Sequence, residues 1–485
     1  MESRHKSVPR AVHRTTSQRR VALSTALALA LSGCATQSYE PDPILQEEFG
    51  AFSEGREGSS VDAKPGELTL SRAAQWLRER GPRVREAIAR YRTALAKAGI
   101  STPWPNPEIY AGPEFGFGRE DPINKVVPFG GLTLTIPLSG RLGRQDEVNA
   151  AVAGSAQADA LATFRELYLD LRATYVRLAV AEKRELVRTS VLEAARASLT
   201  VVNDLVAAGG ATALDVSLFQ LEHARERSRV LGARLSRTNA ASDMSQLVAI
   251  RPARLGALPE QALPELPAEV PDSETLHDLI VKEHPRLFRI RAEYEVAERQ
   301  LHLEVVRQYP DLVFGPSIGG ETGERGTILG LSLGIALPIF DRNQQAIAQA
   351  RKRREEIRTR YESEAQRVLN AVERARATAA LASAQHRVLR DEVLPAAQTN
   401  VRIAEQSLAA GAAGALQLID AERSLRQVQV EVLEAQLAQH LAWSDLEKAV
   451  GIPLVKFSSD PEADGRTPPR ELIKDNASNE QGVEK

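Results

Sequence analysis

The chain has 485 residues, of which only 5% are aromatic, and Ala, Leu, Arg, Glu and Gln dominate, a composition of long helices packed by small side chains. The formal charge is −2, and because residues 1–33 carry six Lys/Arg and one Glu, a net +5, the remainder carries −7, which leaves no electrostatic footprint for nucleic acid. Cys34 is the single cysteine, so an intrachain disulfide and a cysteine-based zinc site are both excluded.

The chain opens with a basic segment ending at Arg19-Arg20, followed by an apolar run from Val21 to Leu31. The run is too short to span a bilayer and reads as a secretory signal over 1–33. Leu31-Ser32-Gly33-Cys34 resembles a bacterial lipobox, which implies cleavage before Cys34 and lipid on its thiol. Ala35, where Asp would otherwise signal retention, looks like an outer-membrane address. An ordinary signal peptide cut after Gly33 or Ala35 is the alternative. Residues 34–67 are polar and read as an extended tether. No later window approaches 18 consecutive apolar residues, so a membrane crossing must use strands.

Ser71 to Ala98 has helical spacing and is interrupted at Gly81-Pro82. Two strands follow, over 108–117 and 129–138, joined by a polar loop as in a hairpin. A helix of roughly 90 Å is expected from Gly143 to Val206, then a turn at Gly209-Gly210 and a second helix from Leu214 to Val248. Five prolines between 251 and 271 predict an extended linker.

The second half repeats the first. Pro82 matches Pro285 and Tyr91 matches Tyr294 at an offset of 203, Pro137 matches Pro338 at 201, and the Ala-Gly turn beginning at Ala207 matches the one at Ala409 at 202. The domains are therefore a first repeat over 68–250, the linker 251–271, a second repeat over 272–456 and a polar tail over 457–485. Each repeat reads helix, hairpin, long helix, turn, helix. The clearest hairpin strand alternates bulky Leu329, Leu331, Leu333, Ile335 and Leu337 with small Gly330, Ser332, Gly334 and Ala336, the pattern of a wall with lipid on one side and a lumen on the other. A buried sheet edge in a soluble α+β protein is the alternative. Asp341-Arg342-Asn343 is expected to supply turn and N-cap chemistry to the next helix.

Four membrane strands cannot close a barrel, and open edges in lipid are forbidden. The chain must therefore self-associate, each copy contributing a stave, with its Ala-rich helices continuing the lumen on one side of the membrane.

The lipobox, the duplicated unit, the junction PIFDRNQ at 338–344 and the turns at 207–216 and 409–418 together resemble the TolC-like outer-membrane efflux proteins. The likeness is to the lipid-anchored branch serving resistance-nodulation-division pumps, including heavy-metal exporters. It implies a mainly α fold with a small transmembrane β part, in which a homotrimer forms a 12-strand barrel continued by a periplasmic α-helical barrel. It also implies a periplasmic adaptor and an inner-membrane pump as partners, and an outer-membrane location. Where the second copy runs from Pro338 through Phe340, Asp341 and Arg342, the first has PLSGRLG at 137–143, which lacks the full Phe-Asp-Arg-Asn form.

No catalytic constellation, cofactor site or metal site emerges: the eight histidines are scattered, none forms an HExxH pair, and there are two methionines. A passive exit duct for small molecules or metal ions is the leading reading. A type I secretion duct for polypeptides keeps the same fold, and a non-channel periplasmic scaffold or adaptor lipoprotein is a different class. The turns containing Gly209, Gly210, Gly411 and Gly414 are candidates for the periplasmic tip. Asp204, Asp215 and Asp420 would ring a constriction there with carboxylates that attract cations; Asp215 is the leading candidate gate. Pro395, inside a helical run, is expected to bend the helix, as a local kink or a pivot.

Overall fold

Thr69 accepts from the backbone N–H of Arg72 and starts α1 (Leu70–Arg80), which stops at Gly81 because Pro82 cannot continue its ladder. This computed structural model describes residues 67–115, 126–320, 327–410 and 415–457. The signal 1–33, Cys34, the tether up to residue 66, Gly411, Gly414 and the tail from 458 lie outside the described residues.

Pro82 opens α2 (Pro82–Ala98), which leads to β1 (Glu108–Phe115) and β2 (Val126–Ile136). Next come α3 (Arg141–Ala207) and α4 (Ala213–Val248). The second copy has the same order: α5 (Ser273–Glu283), α6 (Pro285–Val306), β3 (Leu312–Gly320), β4 (Thr327–Ile335), α7 (Gln344–Val388), α8 (Leu394–Ala409) and α9 (Ala415–Val450). The fold is thus helical with one small sheet, as expected, and α3, at 67 residues, is one unbroken helix about 100 Å long. β2 is shifted toward the first strand relative to its apolar alternation, running Val126–Ile136 instead of 129–138, and the expected end of β1 at 117 lies outside the described residues.

Each copy has its own core. In the first, Ala73, Leu77, Val84, Leu171, Leu178, Met244 and Val248 pack together. In the second, Leu276, Ile280, Leu287, Val372, Ala379, Leu446 and Val450 do the same. These seven pairs stand 203 residues apart on the entry helices, 201 on the long helices and 202 on the returning helices. The step from 201 to 202 has a visible cause. Residues Leu389–Val393 form a π turn, in which the N–H of Leu394 reaches the carbonyl of Leu389, and such a turn inserts one residue into a helix. It sits just before Pro395, where the missing N–H would otherwise orphan a carbonyl. The proline bend expected from sequence is therefore realised as a one-residue insertion in the hydrogen-bond ladder.

The segment after α4 is not a bare spacer. Pro252–Arg254 form one 3₁₀ turn, Leu255 and Ala262 are buried in the first core, and Leu266 and Val270 pack on the second. The prolines set an extended path, but the apolar residues between them bind it to both cores.

The copies are also joined through the middle of α3. From Leu167 to Ala181 nearly every residue is buried, Arg172 included. Arg172 forms a fork-to-fork pair with Glu447 of α9, at 3.0 Å from Nε and 2.7 Å from Nη2, and also donates to the carbonyl of Val455. Glu447 in turn accepts from the backbone N–H of Leu454 and of Val455. Burial opposes the charge on Arg172, but Glu447 more than offsets it, and the guanidinium is held above its ordinary pKa.

Candidate functional site

The four strands form one antiparallel sheet in the order β1-β2-β3-β4. Its register sorts most of the side chains by face. Leu134 lies opposite Phe314 and Phe314 opposite Leu333, while Ile136, Leu312 and Ile335 form the next row. Ile109 and Leu132 pair on the same face. The other face carries Tyr110, Gly131, Ser317 and Gly330 in one row and Gly315 with Ser332 in another. One surface is therefore almost wholly apolar, and the other is mainly Gly, Ser, Thr and Tyr, with Glu108 at one end and Phe129, Val313 and Ile328 as its apolar exceptions.

The apolar face is bare: Leu329 is 79% exposed, and Leu331 and Leu333 are each 71% exposed. Water would penalise such a surface, whereas hydrocarbon suits it. The small face is tightly interlocked. Ser332 Oγ donates to the carbonyl of Gly315 at 2.9 Å. A methyl group at Gly131 would lie 2.4 Å from the Tyr110 hydroxyl and 2.9 Å from the Pro316 carbonyl, so only glycine permits that ring to lie across the strand. Placing Arg at position 331 (Leu331→Arg) is expected to cost about 2–4 kcal/mol of folding in bilayers. Ser332→Arg, on the opposite face, should lose only its bond to Gly315, about 1 kcal/mol. Denaturant titration of both variants in lipid checks the assignment, and equal costs would contradict it.

At the ends of the hairpins the backbone turns sharply into helices. The first junction uses Gly140 at φ 72°, the second Asn343 at φ 56°, both in the left-handed region that glycine and asparagine tolerate best. Asn343 is not a side-chain cap as its position suggested. Its amide instead donates to the backbone carbonyl of Glu304 at 2.9 Å and to the Glu304 carboxylate at 2.8 Å, tying the start of α7 to the end of α6. Asp341 accepts from the Asn343 N–H, Arg342 Nε donates to the carbonyl of Pro338, and Phe340 is 91% exposed beside them.

One junction contact was not anticipated. Arg141, the first residue of α3, makes a bidentate pair with Asp311, just before β3, with Nη2 to Oδ2 at 2.8 Å. The signal was present in the repeat, since an arginine stands four residues after the aligned proline in both copies, at Arg141 and Arg342.

The distal turn lies at the other end of α3. Asp204, Gly209, Gly210 and Asp215 share it. Gly209 takes φ 73°, and the carbonyl of Asp204 accepts from the N–H of Ala208. Asp215 is occupied by a capping box: its carboxylate accepts from the N–H and hydroxyl of Thr212, at 2.8 and 2.7 Å, while Thr212 Oγ1 accepts from its N–H. These bonds hold its pKa below the usual carboxylate value. Asp420 lies on α9, exposed, with Arg423 at 3.3 Å. Among the described residues, no three His, Cys, Asp or Glu side chains cluster in a way that would hold a metal ion, and no helix is long and apolar enough to cross a membrane.

A sheet with a lipid face, continuing into helices several times longer than the membrane is thick, defines an outer-membrane channel protein. A sequence profile of the outer membrane efflux protein family matches residues 276–452. The cobalt-zinc-cadmium resistance protein CzcC of Cupriavidus metallidurans is 26% identical over 335 residues, 66% of this chain and 76% of that protein. Among solved structures, a membrane protein from Pseudomonas aeruginosa superposes with a TM-score of 0.65 at 17% identity, covering 86% of this chain and 97% of that one. CusC, whose structures concern transmembrane channel formation, gives 0.63 at 17% identity, covering 87% and 100%. The match to the outer membrane efflux protein family is carried by the second repeat. The chain is an efflux channel component, and not an enzyme.

Proposed function

We propose that three copies close a twelve-strand barrel and that the assembly is the passive exit duct of a tripartite pump exporting divalent transition-metal ions. Its expected location is the outer membrane, where cleavage after residue 33 would leave it lipid-anchored at Cys34. The carrying observation is the sheet: four strands with one lipid-type face, and no strand paired to the far side of β1 or β4 among the described residues. Such edges are untenable in hydrocarbon, where each unpaired backbone group costs several kcal/mol. The similarity to a cobalt-zinc-cadmium resistance protein supports metal ions as cargo. A duct needs no ligand cluster for this, because ions must pass without being held. A periplasmic adaptor and an inner-membrane pump would supply opening and energy.

Deleting the gene is expected to sensitise cells to cobalt, zinc and cadmium, with growth curves in graded metal as the readout. Loss of a secreted polypeptide with unchanged metal tolerance would instead support a secretion duct.

We place the periplasmic end at the turn holding Gly209 and Gly210 and at its counterpart with Gly411 and Gly414. Asp215 then has two separable roles, cap and pore charge. Asp215→Ala should raise single-channel conductance in planar bilayers and lower cation preference, whereas Thr212→Ala, which breaks the same cap and keeps the charge, should change neither. Matching effects from the two variants would reduce Asp215 to a cap.

A further inference from the structure

The internal duplication lets the contact between two copies of the chain be read from a contact within one. Inside the chain the repeats meet where β2 and α3 of the first lie against β3 and α6 of the second. Three features define that seam. Ile136 is opposite Leu312 and Leu134 opposite Phe314 in the strand ladder. Arg141 grips Asp311 at the hairpin base. Farther along, Arg289 of α6 sits between two carboxylates of α3, Asp159 at 2.7 Å and Glu166 at 3.6 Å.

Each feature can be carried onto the chain's unused edges. An offset of 201 takes β2 and α3 onto β4 and α7, up to the π turn, and an offset of 203 takes α6 and β3 back onto α2 and β1. The ladder becomes Leu337 opposite Ile109 and Ile335 opposite Ala111. All four are exposed, and Ile109 and Leu337 belong to the apolar alternation, so lipid meets lipid-facing side chains across the seam. Arg141 and Asp311 become Arg342 and Glu108, and the attraction is kept. Arg289 becomes Glu86, while Asp159 and Glu166 become Arg360 and Arg367. Every sign in the triad has reversed, and it still attracts: a cation between two carboxylates has become a carboxylate between two cations.

We infer that copies of this chain join edge to edge with β4 and α7 of one against β1 and α2 of the next, in the register Ile335–Ala111, clasped by Arg342–Glu108 and by Glu86 between Arg360 and Arg367. The inference rests on the proposed oligomeric closure and adds its partner face, register and charge code. The five charged side chains are exposed in the single chain, where Glu86 has only its helical neighbour Arg90, Arg360 meets Glu293 and Arg367 meets Glu364. Two projections set like charges together: Arg83 beside Arg367, the counterparts of Arg286 and Glu166, at a place where Arg286 is 61% exposed and repulsion is screened, and Glu86 beside Glu364, the counterparts of Arg289 and Thr163, where Arg367 already holds the Glu364 carboxylate at 3.1 Å.

The test uses the full chain in outer membranes, with the native protein and its lone Cys34 as the control. Ile335→Cys combined with Ala111→Cys is expected to give covalent multimers on mild oxidation. Leu333→Cys with Ala111→Cys should give roughly tenfold less, because diagonal neighbours stand about 7–8 Å apart against the about 4 Å a disulfide needs. Glu86→Arg should shift the material toward monomer in sedimentation, and adding Arg360→Glu and Arg367→Glu should restore the oligomer. If the displaced pair links better, or neither pair links in oligomeric material, the register is wrong while closure stands. If the triple variant fails to recover, the charge code is wrong. A native chain that sediments as a monomer in detergent would overturn the proposed oligomer itself.

Discussion

Arg172→Met is expected to destabilise the folded protein by about 3–5 kcal/mol, the usual loss when one partner of a buried ion pair is removed. The side chains of Arg172 and Glu447 are only 4% and 5% exposed, so a stranded Glu447 carboxylate gains little from water. The guanidinium plane also lies over the Phe457 ring, 4.9 Å from its centroid, and that stacking contact would go as well. A second substitution, Glu447→Leu, should recover only part of the loss. It removes the unpaired charge but leaves the N–H groups of Leu454 and Val455 without the oxygen they share. Denaturant unfolding of the wild type and the three variants closes the cycle. Full recovery in the double variant would mean that the carboxylate does not organise the end of α9. Because the pair joins the long helix of the first repeat to the last helix of the second, its loss should loosen both copies together.

Acidification should weaken the fold between about pH 6.5 and pH 4, by about 2–4 kcal/mol for each of two buried histidines. His284 and His440 are both pushed down to about 4. Burial is the main cause for each; Arg286 adds to it at His284, and His386 adds to it at His440. A group whose folded pKa lies below its unfolded value binds its proton more readily when unfolded. Stability is therefore full above about 6.5, falls as pH drops through the window, and is lost by about 4. Asp215 and Asp272 have lowered pKa values through their capping bonds, and their stabilisation is lost only at pH below the unfolded carboxylate value, so the two effects separate on the pH axis. His440→Leu should remove about half of the slope between pH 6.5 and 4, as read from unfolding midpoints across that range. An unchanged slope would place the acid sensitivity elsewhere. His440 borders a cavity of about 990 Å³ that is also lined by Glu182, Lys183, His386 and Arg390, so the variant fills space next to charge without touching the membrane sheet.

The amino-acid order alone determined the duplication, most of the strand faces, the helix lengths and the fact that one copy's strands are too few to close a barrel. Each of these is periodic or stoichiometric: Leu329 to Leu337 alternate because a strand has period two, and four strands cannot enclose a pore whatever their neighbours are. Family resemblance was legible for the same reason, since it lies in the order of elements. Only the folded chain decided which distant charges meet. Arg172 and Glu447 are 275 residues apart, and nothing local marks either among 62 basic and 64 acidic residues. The proline-rich linker reads as a spacer in sequence because proline dictates backbone path, while Leu255 and Ala262 find their burial only when the first core stands beside them. Asp215 stands out in the sequence as a candidate gate carboxylate with Asp204 and Asp420, whereas its capping box depends on a backbone geometry that sequence spacing merely permits. Local periodicity follows from covalent geometry and solvent, whereas long-range pairing depends on where two surfaces come to rest.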